Sequence, residues 1–358
     1  MAATYVYAVI PAVHDVSLDV PGVGDDADAQ TVQCIVHGDL AAVVSASPVV
    51  EFRGLRRDEA VRHLLAHQRV VEAVMRRLPL LPVKFGTVLA SQDAARRLLA
   101  QGKRLLRSAL RRFAALTQVE VVVLWDVQRV FREIAEESPI ARLKAAIGER
   151  SLGEAEPERV AIGQMVQASL VRRREALRQR LVACLQDVGL DLVANPVMDD
   201  SMAANVAVLV NEVGRQALDV RLELLDKQFN GGLQIRCVGP LPPYSFATVE
   251  VQQPSFEAID DARQRLGLND AATADEIKRA YRRLARQLHP DQNRGDPEAD
   301  SRMGDLTYAY ELLSTYAHSQ ALGGRAARRS YCRFDRRTVE QTLLIAVRRQ
   351  ETDLQQLG

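Results

Sequence analysis

The chain has 358 residues, 47% of them hydrophobic and 26% charged, with a net charge of +1. That is the composition of an ordinary globular protein with room for two or three domains and a buried core. It excludes a helical membrane span, because no apolar run approaches about 20 residues, and the near-zero charge argues against the broad basic face of a nucleic-acid binder.

Charge is unevenly placed. Residues 1–255 balance, residues 256–318 carry nine cations against twelve carboxylates, and residues 319–358 carry eight against four. Cys34, Cys184, Cys237 and Cys332 are scattered with no CxxC pair, which points to free thiols in a reducing cytoplasm rather than a disulfide framework or a zinc site. The start, MAATYVYAVIP, has no basic n-region, so it does not read as a signal peptide.

In chain order, YVYAVI (5–10) is β-branched and aromatic and predicts a strand. TVQCIV and LAAVVS flank His37-Gly38-Asp39 and predict a hairpin over 31–45. A helical stripe of Val61, Leu64, Leu65, Val70, Val71 and Val74 predicts a helix over 57–78. Residues 83–89 read as a strand, 92–115 as a helix, and VEVVVLWD (119–126) as a buried strand whose Trp125 is buried too. Residues 127–147 and 159–188 read as helices, DLVA and 203–210 as strands. The helix 212–229 stops at Asn230-Gly231-Gly232, and 233–239 is a strand. PLPPYSF follows as a stiff, proline-set loop. Residues 253–318 read as all helical.

Within that last stretch, Thr273-Ala274-Asp275-Glu276 is a capping box. The helix it opens has Ile277, Ala280, Tyr281, Leu284 and Leu288 on one face and Lys278, Arg279, Arg282, Arg283 and Arg286 on the other. It ends at His289, because Pro290 disfavours a helical residue before it. A second apolar stripe, Met303, Leu306, Ala309, Tyr310 and Leu313, predicts an antiparallel partner helix. His289-Pro290-Asp291 then falls at the exposed tip of the pair. RLGLNDAATADEIKRAYRRLARQLHPDQN, closed by Ala309-Tyr310-Glu311, resembles a J domain, the co-chaperone module of DnaK-type chaperones. The resemblance implies that His289, Pro290 and Asp291 trigger ATP hydrolysis on the chaperone. It also implies that the basic face from Lys278 to Arg286 docks on the chaperone's acidic surface.

YVYAVI, LPLLPVKFGTVL (78–89), VEVVVLWD and above all GLQIRCVGPLPPYSFATVEV (232–251) resemble the gas vesicle protein F/L family. This implies a two-domain α+β body, ferredoxin-like in parts, that binds the hydrophobic shell protein. Pro242, Pro243, Tyr244 and Phe246 are candidates for that contact; the alternative is that both aromatics anchor the loop on the sheet.

The remaining candidates are weaker. His63 and His67 have the i, i+4 spacing of a metal pair but no third ligand. Arg172, Arg173, Arg174, Arg178 and Arg180 form a patch that a solvated helix face beside Glu175 explains. No phosphate loop or nucleophile elbow occurs, so no catalytic constellation, cofactor site or metal site is expected. TVEQTLLIAVRRQ fits a helix or a strand and could pack back on the body.

The expected architecture is α+β: two small domains (1–126 and 127–252), a J domain (253–318) and a basic tail (319–358). The expected function is that of a non-enzymatic gas vesicle assembly factor. It acts in the cytoplasm with the shell protein, other accessory proteins and a DnaK-type chaperone. A general co-chaperone, or a minor vesicle constituent with a degenerate J domain, are the alternatives.

Overall fold

The computed structural model describes residues 3–12, 20–24, 31–47, 52, 54–148, 156–229, 232–288, 298–320 and 331–350. In chain order the elements are β1 (Ala3–Pro11), β2 (Gln33–His37), β3 (Leu40–Ser47), α1 (Arg57–Met75), β4 (Leu81–Pro82), β5 (Val88–Leu89), α2 (Gln92–Phe113) and β6 (Thr117–Trp125). Then come α3 (Val127–Ala135), α4 (Ser138–Ile147), α5 (Glu156–Leu185), β7 (Asp191–Ala194), β8 (Met202–Val210), α6 (Glu212–Gln228), β9 (Leu233–Leu241), α7 (Tyr244–Ala247) and β10 (Thr248–Gln252). The chain closes with α8 (Phe256–Arg265), β11 (Ala271–Thr273), α9 (Ala274–Leu288), α10 (Ala299–Gln320), β12 (Tyr331–Arg333), α11 (Arg336–Gln341) and β13 (Leu344–Arg348).

These form two compact units. The first joins residues 1–114 to residues 247–348. Its main sheet has the order β2-β3-β1-β4, with β5 also on β1, all antiparallel. Thr4 through Ile10 of β1 are all buried, as suits a central strand written as one apolar run. Helices α1 and α2 pack on this sheet. The stretch 83–89, expected to be one strand, is broken by a turn: Gly86 takes φ +80°, and the Thr87 hydroxyl donates to the Lys84 carbonyl at 2.6 Å. A side chain at Gly86 would be strained by that backbone and would press on Phe52 at 3.3 Å.

β10 extends the edge of this sheet. Val83 and Val249 form a parallel bridge, the Lys84 N–H donates to the Val249 carbonyl at 2.9 Å, and Lys84 and Glu250 pair at 2.7 Å. β13 pairs antiparallel with β10, Thr248 facing Arg348 and Gln252 facing Leu344. The helices α8, α9 and α10 are therefore held between two strands that pair with each other. Their core contains Ile259, Leu266, Ile277, Leu306, Leu313 and Tyr316, and the tail adds Cys332, Phe334, Val339 and Leu344. Burying one such aliphatic side chain contributes about 1.5–3 kcal/mol. The region 253–318 is not all helical, because β11 pairs with β12 across Ala271–Arg333 and Thr273–Tyr331.

The second unit spans residues 115–246 and 349–358. Its antiparallel sheet runs β7-β8-β6-β9. Alternate residues Val119, Val121 and Val123 of β6 meet Leu177, Leu181 and Leu185 of α5 and Leu218, Leu222 and Leu225 of α6. These are the period-2 and near-3.6 spacings of a sheet covered by helices. The expected helix 127–147 is two helices. Pro139 sits in the first turn of α4, where its missing N–H costs nothing. Trp125 is half exposed rather than buried, and its indole N–H donates to the Asp200 carbonyl at 2.8 Å.

Candidate functional site

The site is built on α9. Its start is the expected capping box: the Glu276 N–H donates to the Thr273 hydroxyl at 3.2 Å, and the Thr273 N–H donates to the Glu276 carboxylate at 2.7 Å. Those Thr273 hydrogen bonds, backbone first, hold the Glu276 carboxyl below the usual carboxylate range. The helix then turns its apolar face onto α10. Ile277 and Ala280 are buried, and the Tyr281 ring stacks on Tyr310 with centroids 4.3 Å apart. The Tyr281 and Thr307 hydroxyls lie 3.4 Å apart.

The packing dictates the opposite face. Lys278, Arg279, Arg282, Arg283 and Arg286 are all exposed, and among the described residues none of them makes an ion pair. The neighbouring helix α8 behaves differently. Arg263 pairs with Asp260 at 2.7 Å, and Arg265 pairs with Asp261 and Asp305, each at 2.8 Å. α9 thus carries cations that no carboxylate among the described residues pairs with, a surface suited to an acidic partner. His289, Pro290 and Asp291 lie outside the described residues.

The other candidates are placed as follows. Pro242, Pro243 and Phe246 are buried and Tyr244 is half-buried. The Ser245 N–H, inside the same loop, donates to the Gln118 side chain at 2.9 Å. The loop is thus packed down on the protein at Pro242, Pro243 and Phe246. His67 is buried, its Nδ1 3.0 Å from the Tyr5 hydroxyl and its ring stacked on Tyr7. His63 stands edge-on to Phe52. The arginine patch of α5 is largely paired within the unit: Arg173 with Glu133 at 2.7 Å and Glu137 at 3.1 Å, Arg174 with Asp200 at 3.0 Å, Arg178 with Glu175. No cluster of metal-ligating side chains occurs among the described residues, and none of their helices is long and apolar enough to cross a membrane.

Sequence reasoning missed the support that the tail gives this site. Cys332 is buried, its thiol 2.9 Å from the Ala272 carbonyl, and the Tyr316 hydroxyl donates to the Arg333 carbonyl at 2.5 Å. The signal was present in the alternating buried residues of YCRFD, but a three-residue strand is too short to announce itself by period.

Comparison with known proteins accounts for nearly all of this architecture. The chain is 30% identical over 248 residues to gas vesicle protein F of a Streptomyces species, covering 68% of this chain and 99% of that relative. The crystal structure of the gas vesicle protein GvpF from Anabaena sp. superposes with a TM-score of 0.55 at 23% identity, over 68% of this chain and 98% of the other. Over 57 residues the chain is 47% identical to the chaperone protein DnaJ of Clostridium novyi, which is 16% of this chain and 15% of that relative. The DnaJ domain model matches residues 262–321, so α9 and its cations lie in a J domain. The family model for gas vesicle synthesis protein GvpL/GvpF matches residues 3–248, and the chain belongs to that family, with a J domain joined to it.

Proposed function

We propose that this chain is an assembly factor for gas vesicles that holds the small hydrophobic shell protein and brings a DnaK-type chaperone to it. The observation that carries the reading is the fusion of the two family matches in one chain, with an exposed row of cations on α9 that make no ion pair among the described residues. A shell subunit destined for an apolar wall is an aggregation hazard before assembly. A partner that delivers it together with a chaperone removes that hazard. The chemistry is exerted on another protein: ATP is hydrolysed by the chaperone, with His289, Pro290 and Asp291 as the trigger and the α9 cations as the docking surface. The protein works in the cytoplasm at the vesicle, beside the other accessory proteins, without cofactor, nucleic acid or membrane span.

The test is the steady-state ATPase of a DnaK-type chaperone with and without this protein, beside vesicle yield in cells. Wild type stimulates the ATPase; His289→Gln loses the stimulation and lowers the yield. Absence of stimulation by wild type at low salt overturns the chaperone half. Stimulation with normal vesicles in cells lacking this protein overturns the client half and leaves a general co-chaperone.

A further inference from the structure

A second cationic feature lies away from α9. Within the first unit, α2, α10 and β13 enclose an open groove of about 1370 Å³. Its walls come from three parts of the chain: α2 from the gas vesicle family region, α10 from the J domain, and β13 from the tail beyond both matches. Lys103, Arg104, Arg107 and Arg111 line it from α2, His318 from α10 and Arg348 from β13. Among the described residues no carboxylate lines it. Carboxylates reach its cations from outside: Asp39 pairs with Lys103 and Arg107, each at 3.2 Å, and Glu250 lies 3.7 Å from Arg348. Arg111 makes no ion pair among the described residues.

The spacing of the α2 cations puts Lys103, Arg107 and Arg111 on one stripe of the helix, about 12 Å from end to end. Between them and β13 the lining mixes Ser108 and Gln101 with the apolar side chains of Leu105 and Ile345. Leu105 is 41% exposed, and Ile345 is half-buried. The tight seat of β13 depends on Gly102, where a Cβ would stand 3.2 Å from the Ile345 side chain.

We infer that this groove binds an acidic peptide segment, its carboxylates on the α2 guanidiniums and an aliphatic side chain against Leu105 and Ile345. Cations that outnumber the carboxylates paired with them select an anion, and guanidinium forks match carboxylates in pairs. A single-stranded nucleic acid fits less well, because no Phe, Tyr or Trp among the described residues lines the groove to stack a base. A duplex needs a longer run of phosphate contacts than about 12 Å of helix supplies. An anionic lipid surface needs cations on a protruding face, whereas these line a concavity. Because α10 and β13 form the second wall, neither the gas vesicle region nor the J domain contains this site alone. The bound peptide therefore reports the J domain docked on the first sheet.

The full chain is titrated into a fluorescein-labelled peptide of repeated Glu-Glu-Leu triplets and followed by anisotropy at low ionic strength. Binding is expected, weakened about tenfold by Arg111→Glu and by Ser108→Glu, and weakened again by added salt. Both positions are exposed, so the variants keep the wild-type melting curve. Arg62→Glu, exposed on α1 away from the groove, leaves this binding unchanged. The inference is overturned if the peptide binds wild type and both groove variants equally, or does not bind at all. It is also overturned if a DNA duplex or phosphatidylserine vesicles bind in an Arg111-dependent way and the peptide does not.

Discussion

The Gln101 side chain accepts the backbone N–H of Leu343 at 2.9 Å, across 242 positions of sequence. Its amide nitrogen donates to the Gln341 carbonyl at 3.0 Å. One glutamine on α2 thus satisfies two backbone groups at the junction of α11 and β13, where neither helix nor strand supplies a partner. The J domain is docked on the first sheet through this junction and the β10–β13 pair, not hung on a free linker.

Gln101→Ala removes both hydrogen bonds and leaves the half-buried Leu343 N–H unpaired. A loss of about 1–2 kcal/mol in the tail's local stability is expected. Hydrogen exchange reads it directly: protection should fall at Leu343 and along β13 while β1 keeps its protection. Equal loss at both would show a global effect instead.

Phe334 is 3% exposed and stacks on Tyr316, so the tail is part of the J-domain core. Phe334→Ala should destabilise the helical trio by about 3–5 kcal/mol. Urea unfolding of the full chain should then show α8 to α10 melting ahead of the rest. A single unchanged transition would mean the tail packs without supporting these helices.

The α9 cations make no ion pairs among the described residues, so reversing them should leave the fold intact. Arg282→Glu with Arg283→Glu should shift stability by no more than about 0.5 kcal/mol. The same pair should abolish stimulation of a DnaK-type ATPase, and wild-type stimulation should fall as salt rises. Stimulation that is indifferent to salt and to this double change would remove α9 from the docking surface.

His67 sets a pH dependence. Burial pushes its imidazole from 6.5 down to about 4, with Tyr5, Tyr7 and Phe85 around the ring. The folded state holds it neutral while the unfolded chain takes a proton below about 6.5. Stability is therefore complete above that pH and declines as pH falls toward about 4, by roughly 3 kcal/mol for a shift of this size. Below that value the effect levels off. Thermal melts between these limits should show the slope, and His67→Phe should flatten it.

Much of the candidate site was legible because its signals are local. The capping box from Thr273 to Glu276 and the division of α9 into an apolar and a basic face are written in adjacent residues, and side-chain spacing alone places them. The β1 strand, the 31–45 hairpin and the α5 and α6 helices were legible for the same reason. What could not be read depends on partners far away in sequence. TLLIAVR looks the same as helix or strand until β10 is beside it to accept its hydrogen bonds. The short β11 and β12 exist only as a pair. VEVVVLW announces a buried strand but not which sheet it joins, and it pairs with β8 and β9. The burial of Phe246 and the exposure of Trp125 were decided by packing, not by residue type. The sequence by itself determined most of the longer elements, the J-domain helix with its cations and the two family resemblances. Only the tertiary structure decided that the tail returns to β10, completes the J-domain core and closes a basic groove against α2. Hydrogen bonds across strands and burial between helices are properties of pairs, and no single segment carries them.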